Sequence, residues 1–247
     1  MMVQTRKTTL EISNSSLKEL KTPQVTSSRD ALKDYLINAK RLPTALYLTS
    51  PDYLGNIQDV KSISQVCKDF NVLLIVDNAH GAYLKFLENS LHPIDLGADM
   101  CCDSAHKTLP ALTGASYIHI SKNAPTFFKD NVKTAMSIFA STSPSYLILQ
   151  SLDLLNNYLD NDYKQTLSTF ISRVERLKIS LSNYGYKLIG IEPLKICLQT
   201  SEFGYTGAEF NEILKQNNIY CEFFDNNYLV FMLSQTQVDE LDRKSVV

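Results

Sequence analysis

The 247-residue sequence has no tryptophan, only four histidines, and no glycine ahead of Gly55. It has no apolar run near the roughly 18 residues that a membrane-spanning helix requires, so no such helix is expected. The opening Met1-Met2-Val3-Gln4-Thr5-Arg6 lacks the apolar centre of a secretion signal, and a cytoplasmic chain is expected. Neither sign of charge dominates: 24 Lys and Arg stand against 26 Asp and Glu, giving a net charge of -2 and a pI near 6.1. That balance argues against nucleic acid or an anionic membrane surface as a partner. The five cysteines (Cys67, Cys101, Cys102, Cys197, Cys221) show no paired metal-ligand spacing, and four lie inside apolar runs. Buried thiols in a reducing compartment, and no metal centre, are the expectation. No internal repeat or low-complexity stretch is present.

What is present concentrates between Leu73 and Pro110. Val72-Leu73-Leu74-Ile75-Val76 is a continuous apolar run with β-branched members, the pattern of a fully buried strand. Such strands carry functional groups just past their carboxyl ends. Asp77-Asn78-Ala79-His80-Gly81 follows directly, which puts Asp77 and His80 where a ligand binds. A second short apolar piece, Ala98-Asp99-Met100-Cys101-Cys102, runs into Asp103-Ser104-Ala105-His106-Lys107-Thr108, so Ser104, His106 and Lys107 are expected on the same sheet edge. An acid, two imidazoles, a hydroxyl and an amine then converge on one cleft.

A pyridoxal phosphate (PLP) enzyme needs such a set. An amine holds the aldehyde as a Schiff base, a carboxylate keeps the pyridine nitrogen protonated, and hydroxyl and imidazole donors stand near the phosphate. Lys107 fits the first role, Asp77 the second, and Ser104 with His106 the third. Plainer readings compete at each position. Asp77 alone could cap a helix, Lys107 alone could be a solvated lysine, His80 a core histidine, and His106 the cap of a turn. His92 and His119 carry no signal of their own.

These residues resemble the major domain of the ornithine/lysine/arginine decarboxylases, within the fold-type I PLP enzymes. Leu48-Thr49-Ser50-Pro51-Asp52-Tyr53-Leu54-Gly55 resembles the family's segment beside the cofactor. Ser141-Thr142-Ser143-Pro144-Ser145-Tyr146 resembles its segment near the partner subunit's phosphate. The likeness runs from about residue 24 to 235. It implies PLP-dependent decarboxylation of ornithine, lysine or arginine, with Lys107, Asp77 and His80 as catalytic residues. It implies further cofactor contacts from Ser104, His106, Ser50, Thr142 and Ser143. An aminotransferase or carbon-sulfur lyase of the same fold would share Asp77 and Lys107, but the Ser-Ala-His-Lys-Thr and Asp-Asn-Ala-His-Gly contexts are closer to the decarboxylases.

Periodicity sets the organisation. Residues 1–23 are polar, with little fixed structure expected. A partial fold-type I large domain with a mainly parallel α/β sheet is expected over 24–160, a linking helix over 161–185, and a small α+β lobe over 186–247. Helices are predicted after Ser27-Ser28, from Val60 to Phe70, from about Ala124 to Phe139, Ser145 to Leu159, Asp162 to Tyr184 and Thr206 to Gln216. Strands are predicted at Ala45–Leu48, Ala115–Ile120, Lys187–Ile191, Leu194–Leu198, Ile219–Phe224 and Tyr228–Leu233. Strand, helix, strand succession implies right-handed crossovers in a parallel sheet.

Departures from the family pattern are also informative. The first histidine is His80, the first aromatic residue is Tyr35, and no glycine precedes Gly55, so nothing upstream matches the family's ring-stacking histidine or its small-residue phosphate turn. A truncated or split chain is therefore expected. It would be weakly active or inactive alone and would form a homodimer, pair with a missing amino-terminal half, or serve as a non-catalytic partner of a complete decarboxylase. Apolar sheet edges left open would favour such pairing.

Overall fold

The computed structural model describes residues 9–11, 28–139, 143–161 and 163–235. The chain divides into two compact units, Met1–Ser50 with Gln58–Tyr158, and Pro51–Ile57 with Leu159–Val247.

In the first unit, helices α1 (Ser28–Asn38) and α2 (Val60–Asp69) arise where apolar residues recur three and four apart. α1 buries Leu32 and Leu36; α2 buries Val60, Ile63, Val66 and Cys67. Asp59 caps α2, its carboxylate accepting from the Ser62 amide at 3.1 Å. Five strands form one sheet in chain order: β1 (Thr9–Glu11), β2 (Ala45–Thr49), β3 (Leu73–Asp77), β4 (Met100–Asp103) and β5 (Tyr117–Ile120). The pairings β1–β2, β2–β3 and β3–β4 are parallel, and β4–β5 is antiparallel. Leu46, Leu48, Leu74, Val76 and Cys101 face the two helices and close the core with them. A 3-10 turn, Ala82–Phe86, follows β3, and α3 (Ala105–Thr108) follows β4. Two longer helices, α4 (Thr126–Phe139) and α5 (Tyr146–Asp160), come after β5.

Two expectations are corrected here. The run Val72 to Val76 reads as buried on both faces, but burial alternates along β3: Leu74 and Val76 are buried while Leu73, Ile75 and Asp77 are half-buried. Helices α1 and α2 cover one face, and the face bearing Asp77 stays more open, a difference that an unbroken apolar run cannot encode. Thr9–Glu11 lies in the segment expected to lack fixed structure, yet its backbone pairs in parallel with Ala45–Tyr47. Three residues are too few to show a period.

The second unit is the small α+β lobe. Its strands β6 (Leu188–Ile189), β7 (Lys195–Gln199), β8 (Phe223–Phe224) and β9 (Tyr228–Met232) form an antiparallel sheet ordered β6-β7-β9-β8. Helix α6 (Tyr163–Asn183) is part of this unit, as is Pro51–Ile57. The Gly55 carbonyl accepts from Ile191 N and Glu192 N at 2.8 and 2.9 Å, and Lys195 Nζ donates to the Asp52 carbonyl at 2.9 Å. Helix α7 (Gly207–Gln216) starts at a capping box made by Thr206 and Glu209. The strand predicted at Ile219–Phe224 shrinks to Phe223–Phe224 because the Ile219 amide closes the end of α7 on the Leu214 carbonyl at 3.0 Å.

Candidate active site

Parallel strands end together, so the carboxyl ends of β2, β3 and β4 bring their following residues to one edge. Asp77 is the last residue of β3 and pairs in register with Thr49 of β2 and Cys102 of β4. Its carboxylate accepts from Tyr47 Oη at 3.1 Å, from the Ala79 amide at 3.0 Å and from Cys102 Sγ at 3.7 Å. All three donors are neutral. Three residues on, His80 is buried, and its Nε2 stands 3.3 Å from Lys107 Nζ. His80, three residues past Asp77, thus meets Lys107 across 27 positions of sequence.

The other expected residues divide. Ser104 occupies the position before α3 without using its hydroxyl as a cap. His106 Nδ1 lies 2.9 Å from the Ala115 carbonyl, so the ring is oriented by the loop before β5. That is the turn-holding reading, and it engages one ring nitrogen only. Ser50 is buried, its Oγ accepts from Gln58 N at 3.1 Å and its amide donates to the Asp77 carbonyl at 2.9 Å. It ties the ends of β2 and β3 together. Ser143 is exposed in the connection between α4 and α5. Thr142 lies outside the described residues.

Sequence reasoning passed over Tyr47 and its hydrogen bond to Asp77. Strand alternation was the available signal: Tyr47 precedes Thr49 by two residues and so shares the face of Asp77. The role of Cys102 follows likewise from register. Burial, with the Asp77 carboxylate adding to it, pushes the Cys102 thiol up to about 11.

The reverse face of the same strands holds a second cluster. Asp103 is 4 % exposed. Its Oδ2 lies 3.1 Å from His92 Nε2 and 3.0 Å from His119 Nε2, while its Oδ1 accepts from Asn78 Nδ2 at 2.7 Å. Burial by itself would raise this carboxyl, but the contacts with His119 and His92 outweigh it and hold it well below the usual carboxylate range.

Residues 9–197 match the family described as Orn/Lys/Arg decarboxylase, major domain. The chain belongs to the Orn/Lys/Arg decarboxylase family. Among its relatives, the uncharacterized protein YaaO of Bacillus subtilis (strain 168) is 34 % identical over 200 residues, covering 76 % of this chain and 41 % of that protein. The arginine decarboxylase of the same organism is 28 % identical over 210 residues, 78 % of this chain and 42 % of that protein. An arginine decarboxylase of Bacillus anthracis is 26 % identical over 194 residues, 73 % of this chain and 39 % of that protein. The chain therefore spans about two fifths of the length of these family members. A solved structure described as the SepCysS-SepCysE N-terminal domain complex matches with a TM-score of 0.64 and 14 % identity, covering 95 % of this chain and 72 % of that one. That likeness concerns the fold, and it agrees with a fold-type I large domain bearing a mainly parallel sheet. Among the described residues, no helix is long and apolar enough to cross a membrane.

Proposed function

We propose that this chain binds PLP through Lys107 and Asp77 and serves the decarboxylation of a basic amino acid, ornithine, lysine or arginine, to its amine and carbon dioxide. The observation that carries the reading is the 3.3 Å approach of His80 Nε2 to Lys107 Nζ, three residues past a strand-end carboxylate whose hydrogen-bond donors are a phenol, an amide and a thiol. The residues fit the group. Asp77 has acceptor capacity beyond its three donors. Its charge is not offset by those donors, as a partner for a protonated ring nitrogen requires. When bound, PLP supplies an electron sink for the carbon that loses its carboxylate.

The chain's own residues then have defined tasks. His80 Nε2 lies within hydrogen-bond reach of Lys107 Nζ and orients the amine. Asp77 would hold the ring nitrogen of bound PLP protonated, while Tyr47 Oη and the Ala79 amide fix the carboxylate's orientation. Ser104 would offer a hydroxyl donor to the phosphate, and His106, its ring oriented by the Ala115 carbonyl, an imidazole. Ser50 keeps the ends of β2 and β3 in register, and Thr142 and Ser143 are assigned to phosphate contacts reaching a partner subunit. The five free cysteines support a cytoplasmic location.

Helix α4 has no buried residue, and Phe127 and Ile138 on it and Leu147 and Leu154 on α5 are exposed. That apolar surface supports a homodimer or pairing with a chain that supplies further parts of the site. Native mass with and without PLP tests this.

The function is tested by incubating the full chain with PLP, reducing with borohydride and mapping the adduct, then assaying amine release from arginine, lysine and ornithine. An adduct on Lys107 that is absent in Lys107→Ala supports the cofactor assignment. A dominant adduct on another lysine overturns it. Adduct formation without amine release from any of the three substrates restricts the chain to a cofactor-binding, non-catalytic role.

A further inference from the structure

We propose that His92, Asp103 and His119 form a binding site for a zinc-type divalent ion, on the sheet face opposite Asp77. Strand alternation separates the two places. Asp77 and Cys102 are register partners on one face, whereas Cys101 and Asp103 point to the other. His119 pairs in register with Cys101 across the antiparallel β4–β5 edge and so joins that face. His92 arrives from the loop that precedes β4.

Three features fit an ion of this class. First, the ligand atoms of the three residues all lie within 4.8 Å of one another. The two separations from Asp103 Oδ2, 3.0 and 3.1 Å, are within a few tenths of an ångström of the tetrahedron edge around a zinc ion. That edge is roughly 3.3 Å for bonds of about 2.0 Å. Second, both imidazoles aim Nε2 at a single carboxylate oxygen, with the rings edge-on at 5.1 Å. His92 is 3 % exposed and its Nδ1 has no partner, so its one engaged nitrogen is the one turned toward the cluster. Third, the surroundings suit a soft-to-borderline cation. Asn78 anchors the second carboxylate oxygen at 2.7 Å, and the Cys101 thiol sits 3.8 Å from His92 Nε2. The His119 side chain is 38 % exposed, which provides an entry path and room for a water as fourth ligand.

The inference does not depend on PLP binding or decarboxylation. Untagged, metal-stripped full chain is dialysed against Zn2+, Co2+ or Mg2+ and its metal content measured, with the visible absorption of Co2+ as a report on coordination. One Zn2+ or Co2+ per chain, tetrahedral Co2+ bands and at least tenfold weaker uptake in His119→Ala are expected. His92→Gln serves as a second variant, and far-UV circular dichroism confirms that each variant is folded. No stoichiometric uptake, a preference for Mg2+, or equal affinity in the folded variants overturns the proposal.

Discussion

Cys102 offers a quantitative test of the environment around Asp77. Its thiol reaches solvent, yet burial by its neighbours and the Asp77 carboxylate 3.7 Å away push it from the ordinary 9.0 to about 11. At pH 8 this lowers the thiolate fraction about 100-fold, from ~10 % to ~0.1 %. A more basic thiolate is also a better nucleophile, with a Brønsted slope of about 0.4–0.5, which returns close to tenfold over two units. The net expectation is disulfide exchange roughly tenfold slower than for an unperturbed thiol. The assay is timed reaction with an aromatic disulfide at pH 8, with the Cys102 peptide followed by mass spectrometry. Asp77→Asn removes the charge but leaves burial, the larger cause, in place, so the rate should recover only about threefold. Reaction of native Cys102 at the pace of the unfolded chain would refute the reasoning, as would an Asp77→Asn rate equal to the native one.

Two further expectations concern stability. Leu74, fully buried between β2 and β4, should cost about 2–5 kcal/mol when replaced by Ala, read from urea unfolding. Asp59 has its carboxyl lowered by hydrogen bonds from Ser62, first from the side chain and then from the amide. The folded form thus binds its proton less readily than the unfolded chain. Its contribution, about 1 kcal/mol as a helix cap, is complete above the unfolded value near ~4 and is lost as pH falls below it. Asp59→Asn keeps the cap and removes the titration, so its stability should fall less steeply between roughly pH 5 and 3; an unchanged acid slope would count against the cap.

Fold and site were legible to different depths. The residues that make β2, β3, α1 and α2 announce themselves through apolar spacing; β2, β3 and α2 fall within a residue or two of their predicted bounds, while α1 ends at Asn38, short of the Pro43 expected to stop it. Asp77, His80, Ser104 and Lys107 stand out in the sequence because each lies at or just past the end of β3 or β4, adjacent parallel strands. Tyr47 was not legible, because its contact depends on the β2–β3 register, which no local pattern states. His92, Asp103 and His119 were harder still. They come from a loop and two strands, and they meet only because β5 turns back antiparallel on β4. The strand expected at Ile219–Phe224 was misjudged for a local reason: the end of α7 takes up Ile219, which in the sequence looks like the start of a strand.

Asp77 and Asp103, near the ends of adjacent strands and on opposite faces, carry the sharpest contrast in the molecule. The donors to Asp77 are a phenol, an amide and a thiol, so its charge remains for a cation that arrives from outside. Those to Asp103 are two imidazoles and an amide, which in the metal-free chain hold β4, β5 and the loop before them together. Hydrogen bonds to a charged group contribute about 1.5–3 kcal/mol each, and breaking them in a buried place is felt directly in folding. Asp103→Asn should therefore destabilise the chain by roughly 2–3 kcal/mol while PLP uptake by the folded fraction is retained. Asp77→Asn should do the reverse, with stability changed by less than about 1 kcal/mol and PLP uptake weakened at least tenfold, since a neutral amide cannot hold the ring nitrogen protonated. Paired urea titrations and PLP-binding curves on the two variants distinguish these outcomes, and equal effects on both measurements would mean that the donor sets do not govern what the two carboxylates do.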